Sequence, residues 1–200
     1  MSDPFAISRT FDAPLDRVWA AWTEPSRIAA WMTPKGAGPS TMLEHDLRPG
    51  GVSHSTYVGP GGMGQIWGKF VYREVTPKTR LVWEHGFSNA AGERTRHPLA
   101  PLWPLVLLTT VTFEDLGDRT ALTLTWAPLD ATPQEEAAFQ AAKPGMAGGW
   151  GGSFENLAEG WCAASSARCC PSPPGRWRRS PPGTPSRGCC RSPRRRSPTS

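Results

Sequence analysis

The sequence predicts an α+β fold: a curved antiparallel β-sheet wrapped around a long C-terminal α-helix, with two short helices after the first strand. Three observations carry this. Runs that alternate every two residues are separated by Gly- and Pro-rich turns, as in a meander of antiparallel strands. In the clearest of them, "LVLLTTVTFEDLGDRTALTLTWAPL", Val111, Phe113, Leu122, Leu124 and Trp126 alternate with Thr110, Thr112, Thr123 and Thr125. One face is therefore apolar and the other polar, as in a sheet covered on one side only. The cover is the stretch "GMAGGWGGSFENLAEGW", where Met146, Trp150, Phe154, Leu157 and Trp161 are spaced 4, 4, 3 and 4 residues apart. That spacing is a helical stripe.

Each element follows in order. "FAISRTFDAP" alternates and reads as a strand that Pro14 ends. The period then changes: Leu15, Val18, Trp19 and Trp22 lie on one helical face. Glu24-Pro25-Ser26 breaks this helix and starts a second, with Ile28, Trp31 and Met32 inward, Thr23 as its expected N-cap and Pro25 in its first turn. "TMLEHDLRPGGVSHSTYVGPGGMG" reads as strand, Pro-Gly-Gly turn, strand and Gly-rich turn. "QIWGKFVYREVTPKTRLVWEHGF" gives two more strands around Thr76-Pro77-Lys78-Thr79, and a Pro-rich connection leads to the hairpin described above. "DATPQEEAAFQAA" reads as a short helix of its own, capped by Thr132 with Pro133 at its first position.

The glycines between the large residues of the last helix need a reason, because each costs about 1 kcal/mol of helix propensity against alanine. A phosphate-binding loop is not that reason. No Lys-Ser or Lys-Thr follows the glycines and no strand directly precedes them. A linker has no use for an apolar stripe. What remains is a helix laid across the sheet, its glycines allowing a backbone to come close or leaving space for something.

Composition divides the chain in two. Residues 1–162 hold all 17 acidic residues and 13 of the 22 Lys and Arg, whereas residues 163–200 hold nine Arg and no acid. The basic balance thus belongs to the tail and says nothing about the body's partners. All five cysteines, Cys162, Cys169, Cys170, Cys189 and Cys190, also fall at the end, so the body has no thiolate site and fits a reducing cytoplasm. The N-terminus lacks the basic start and apolar core of a signal peptide, and "PLAPLWPLVLL" is too short and too broken by proline to span a bilayer. The expected domains are therefore residues 1–162 and a disordered Arg/Pro/Ser/Cys-rich tail, 163–200. The tail uses eight residue types and none that builds a core. Three readings of it stand side by side: a basic arm for nucleic acid, a metal site lacking the usual Cys-x-x-Cys spacing, or GC-rich DNA read out of frame.

The order of elements resembles the helix-grip fold of the START-like (SRPBCC) superfamily. Several stretches narrow the resemblance: "FDAPLDRVWAAWTEPSRIAAWMTPKG", "LRPGG", "REVTPKTRLVW", "TTVTFED" and "GGWGGSFENLAEGW". Together they look like homologues of the heat-shock-protein-90 ATPase activator's C-terminal domain, over about Phe5 to Cys162. The chain departs from such relatives after the hairpin glycines, where "GGVSHSTYV" replaces a large residue. Ser53, Ser55 and Tyr57 share the parity expected to face inward, with His54 outside, unless a bulge reverses the faces.

The resemblance implies a cavity between sheet and last helix. Its expected walls are Tyr57, Trp83, His85, Val111, Phe113, Leu124 and Trp126 from the sheet, and Met146, Trp150, Phe154 and Leu157 from the helix. A small apolar or aromatic ligand fits such walls, and so does a core that simply fills itself. His85, two residues after Trp83, is the foremost polar candidate. Glu44-His45-Asp46 sends His45 to the face opposite its neighbours. No metal-ligand spacing, no cofactor motif and no Gly-x-Ser-x-Gly elbow is present, so no catalytic residue is assigned. The expectation is a cytoplasmic binder of an apolar ligand, without a membrane partner, and with a nucleic-acid partner only if the tail is genuine. The alternatives are a polyketide-cyclase-like enzyme using His85 or Tyr57, and a cochaperone-like activator of the heat-shock chaperone; a chaperone or a second copy of the chain is the expected protein partner.

Overall fold

A computed structural model describes residues 3–34 and 36–164; the readings made for the tail lie outside them, apart from its first two residues. The element order is β1 (Phe5–Phe11), α1 (Leu15–Thr23), α2 (Pro25–Trp31), β2 (Ser40–His45), β3 (Val52–Val58), β4 (Gln65–Thr76), β5 (Arg80–Ser88), β6 (Arg94–Thr95), β7 (Leu107–Asp115), β8 (Thr120–Pro128) and α3 (Pro133–Ala164). The strands form one eight-stranded antiparallel sheet in the order β1-β8-β7-β5-β4-β3-β2, with the short β6 beside β5. The sheet is curved and unclosed, and the long helix lies along its apolar face, as the helix-grip expectation requires.

Alternation explains the sheet. In β7 the residues Leu107, Thr109, Val111 and Phe113 are buried while their neighbours are less so, and Leu122 and Leu124 of β8 continue the apolar row. Their partners across the ladder are matched in kind: Val111 opposes Leu124 and Phe113 opposes Leu122. Two irregularities break the alternation, one between Met42 and Glu44 in β2 and one between Tyr72 and Glu74 in β4. Each inserts a residue and turns the strand beyond it. The β2–β3 turn depends on glycine for space: a Cβ on Gly51 would lie 2.1 Å from the Asp46 carbonyl oxygen.

The helices correct two expectations. Thr23 does not cap α2. Glu24 occupies that position without a side-chain cap, and the Thr23 hydroxyl donates instead to the Trp19 carbonyl at 2.8 Å within α1. Pro25 does open α2. The predicted short helix and the glycine-rich helix are one continuous 32-residue helix with Pro144 inside it. A proline interior to a helix removes one hydrogen bond. Anchoring nearby offsets that loss: Gln140 Nε2 and Lys143 Nζ donate to the Asp3 carbonyl at 2.9 and 2.6 Å. At the helix start Thr132 and Glu135 form a reciprocal capping box. The Thr132 hydroxyl accepts from the Glu135 N–H at 3.3 Å, and the Glu135 carboxylate accepts from the Thr132 N–H at 2.8 Å. These bonds and that from Arg96 hold the Glu135 carboxyl down at about 2.

Candidate functional site

The interior has two halves. In one, Val111, Leu124, Phe154 and Leu157 are at most 2% exposed and belong to the packed core, with Phe113 beside them. Phe154 meets Phe11 edge-on at 5.6 Å. In the other half lies a cavity of about 530 Å³, within the range of small-molecule sites. The structure thus brings Tyr57, Trp83, His85, Trp126, Met146 and Trp150 to the cavity wall and leaves Val111, Phe113, Leu124, Phe154 and Leu157 in the packing beneath.

The hollow half exists because of what faces it. Gly149 lies on the wall, and a Cβ there would meet nothing within 4 Å; the same holds for Gly145, Gly148, Gly151 and Gly152. No backbone comes close to these glycines, and of the five Gly149 alone lines the cavity. Trp150 spans the roof. It stacks on Trp22 at 6.3 Å and meets Trp126 edge-on at 5.3 Å. The loop between β6 and β7, read from sequence only as a Pro-rich connection, contributes His97, Ala100 and Trp103 to the wall. Trp103 packs on Phe139 of α3 at 5.8 Å, which pins the loop over the cavity.

Within the packing beneath the cavity lie unmatched polar groups. Register places Trp83, Thr109 and Trp126 in one row across β5, β7 and β8. Trp83 Nε1, Thr109 Oγ1 and Trp126 Nε1 are all buried without a hydrogen-bond partner in the protein. An unmatched buried donor costs about 1–3 kcal/mol, so such groups are rare without a role. His85 sits one step along the same face, ringed by Phe70 at 5.1 Å, Trp126 at 5.6 Å and Phe87 at 6.1 Å. Burial, with the charge of Arg94 adding, lowers its pKa to about 4, so it is a neutral imidazole near pH 7. Tyr57 is raised above the ordinary phenol value by burial and also stays neutral.

Ser53 and Ser55 face the cavity with Tyr57, and His54 takes the other face. His54 is nonetheless buried there, stacked on Trp67 at 5.5 Å and bonded to Ser88 Oγ at 3.2 Å. Sequence reasoning missed His45. Its Nδ1 lies 2.6 Å from Ser53 Oγ and its Nε2 lies 2.9 Å from the Thr23 carbonyl oxygen; Ser53 Oγ lies 3.2 Å from the Tyr72 hydroxyl. Among the described residues no group of three His, Cys, Asp or Glu is placed to hold a metal.

This architecture has known counterparts. The model of the family "Activator of Hsp90 ATPase homolog 1-like protein" matches residues 12–160. The chain belongs to that family. A solution structure of an Arthrobacter aurescens protein is similar at 27% identity and a TM-score of 0.63, covering 79% of this chain and 87% of its own. A Chromobacterium violaceum protein is similar at 25% identity and a TM-score of 0.58, covering 80% and 96%. The AHSA1 protein of Silicibacter pomeroyi, at 16% identity and a TM-score of 0.60 over 81% and 99%, shares the fold. No curated protein matches the chain. Within the family's fold, the described helices of this member include none long and apolar enough to cross a membrane.

Proposed function

We propose that this member of the family binds a small apolar or aromatic ligand in the cavity between sheet and α3. The observation that carries the reading is a 530 Å³ cavity between the sheet and α3, rich in aromatic and aliphatic side chains, with Ser53, Ser55, Tyr57 and His85 on its wall. The aromatic walls supply affinity by area, and the polar side chains on the wall, Ser53, Ser55, Tyr57 and His85, supply orientation. The reading is of a cytoplasmic protein, in keeping with a body that holds no cysteine before Cys162.

Native mass spectrometry of the gently purified chain, with an organic extract of the same sample, tests this. A bound mass of small-molecule size is expected, and it should be lost on Trp126→Ala. An empty, folded protein that takes up no aromatic ketone from a panel counts against it.

A second reading is favoured by His85. A neutral imidazole with no hydrogen-bond partner among the described residues could orient a carbonyl substrate, as in a polyketide-cyclase-like enzyme. A ligand recovered unchanged after hours in the protein removes that reading. The family's own description supports a third, cochaperone-like role through the surface, which a failed pull-down with the heat-shock chaperone removes.

A further inference from the structure

We propose that Ser53 is a nucleophile with His45 as its general base, and that it accepts an acyl group from a small apolar or aromatic ester entering the cavity. This rests on the cavity-binding reading above, because Ser53 is only 3% exposed and is reached through the cavity it lines.

The direction of the hydrogen bonds follows from what each atom can do. The Thr23 carbonyl can only accept, so His45 Nε2, at 2.9 Å, carries a proton and donates it. In the neutral imidazole Nδ1 is then the acceptor. The Ser53 hydroxyl therefore donates to Nδ1 across 2.6 Å. With the serine proton so directed, the Tyr72 hydroxyl at 3.2 Å donates to Ser53 Oγ. A hydroxyl aimed at a base whose other nitrogen is fixed by a third group is the signature of an activated nucleophile.

The fold builds each part. The irregularity at Leu43 turns β2 so that His45, like Met42, faces inward; His45 then opposes Ser53 directly. Thr23 is the last residue of α1, and the break at Glu24-Pro25 frees its carbonyl, because the N–H groups of Arg27 and Ile28 both go to Glu24. The C-terminal end of α1 thus faces the imidazole. A second void of about 10 Å³, room for about one water, adjoins Ser53. Trp22, Trp83 and Tyr72 also line it, and the indole N–H groups of Trp22 and Trp83 are buried without partners.

In the reaction Ser53 Oγ forms a bond to the acyl carbon and His45 Nδ1 takes the serine proton. The C–O bond to the leaving alcohol or phenol breaks, and His45 returns the proton to that oxygen. Water then hydrolyses acyl-Ser53, releasing the carboxylic acid and restoring the serine.

The test is labelling of the full chain with a small dialkyl fluorophosphate, which forms an Oγ–P bond and releases fluoride, followed by peptide mass spectrometry. Binding of an apolar fluorophore is followed on the same sample. We expect one adduct, on Ser53, absent in Ser53→Ala, with a labelling rate lowered about 100-fold or more in His45→Gln. Circular dichroism confirms that both variants are folded. An unlabelled Ser53 in wild-type protein that binds the fluorophore overturns the nucleophile and leaves the binding reading intact. Absence of both label and fluorophore overturns both. Labelling at an unchanged rate in folded His45→Gln overturns the dyad, and a label found only elsewhere overturns Ser53. If His45→Gln does not fold, His45→Asn takes its place: a labelling rate unchanged from wild type in that folded variant overturns the dyad.

Discussion

The two halves of the interior share β5, β7, β8 and α3, yet one is solid and the other hollow. In the solid half β-branched and aliphatic residues meet large helix side chains: Val111 and Leu124 lie beneath Phe154 and Leu157, all at most 2% exposed. In the hollow half the sheet presents Trp83, His85 and Trp126, while the helix presents Gly149 beside Met146 and Trp150. The difference teaches that the space is set on the helix side. Large rings on the sheet hold the helix off, and a missing side chain on the helix leaves the gap unfilled. Stability therefore resides in the solid half and ligand recognition in the hollow one.

Breaking the solid half should produce the largest effect. Phe154→Ala should cost about 3–5 kcal/mol, because the surrounding core relaxes only in part around the lost ring. Chemical denaturation should show a lower midpoint with an unchanged slope. If Phe154→Ala costs under about 1 kcal/mol, the core there is not packed as described.

The hollow half has its own weak point, which acid should find. His85 is held at about 4 against an ordinary 6.5. The unfolded chain therefore takes up a proton between these values and the folded one does not. Stability is full above 6.5 and falls as pH drops from 6.5 through 4, by about 3 kcal/mol at most. Glu135 acts lower. Its carboxyl is held at about 2 against 4.5, so its contribution is present above 4.5 and is lost only as pH falls through about 2. His85→Phe should flatten the stability profile between pH 6.5 and 4.5 and leave the more acidic limb in place. A wild-type profile already flat over that interval would show that His85 is not buried as a neutral ring.

The fold was legible in the sequence because it rests on periodicity. The strands around Val111 and Leu124 alternate, and the stripe from Met146 to Leu157 repeats at helical spacing. Neither signal needs knowledge of what lies opposite. The Trp161 side chain, last in that stripe, lies outside the described part. The site was legible only in part. Trp83, His85 and Trp126 share parity with the apolar row, so alternation put them inward. Alternation alone could not separate wall from core, because Val111 and Trp83 read alike until the helix is placed above them. His45 was hidden for a different reason. Counted from Met42 it belongs outside, and only the irregularity between Met42 and Glu44 brings it to Ser53. The Thr23 carbonyl that completes the arrangement is a backbone atom exposed by a helix end, which no side-chain pattern announces. The continuity of α3 through Pro144 was missed because proline ordinarily stops a helix, while the anchoring of Gln140 and Lys143 to Asp3 is long-range.

The smallest effects sharpen the comparison most, because they separate stability from binding on a single helix. Gly149→Leu should fill part of the cavity: a Cβ there meets nothing within 4 Å, and the longer side chain points into the ligand's space. Helix propensity improves by about 0.8–1 kcal/mol in the same change. The variant should thus melt higher than wild type while losing its bound ligand. Gly148→Ala and Gly151→Ala are the controls. Neither residue lines the cavity, and an added Cβ meets nothing within 4 Å, so each should gain up to about 1 kcal/mol with binding unchanged. Calorimetry and ligand titration on all three give the decision. If the controls stabilise and only Gly149→Leu excludes the ligand, the glycines of α3 serve two ends: Gly149 keeps the cavity open, and its neighbours are a tolerated cost. If Gly148→Ala also abolishes binding, the helix must flex or shift to admit the ligand, and the cavity is then a property of a moving helix rather than of one missing side chain.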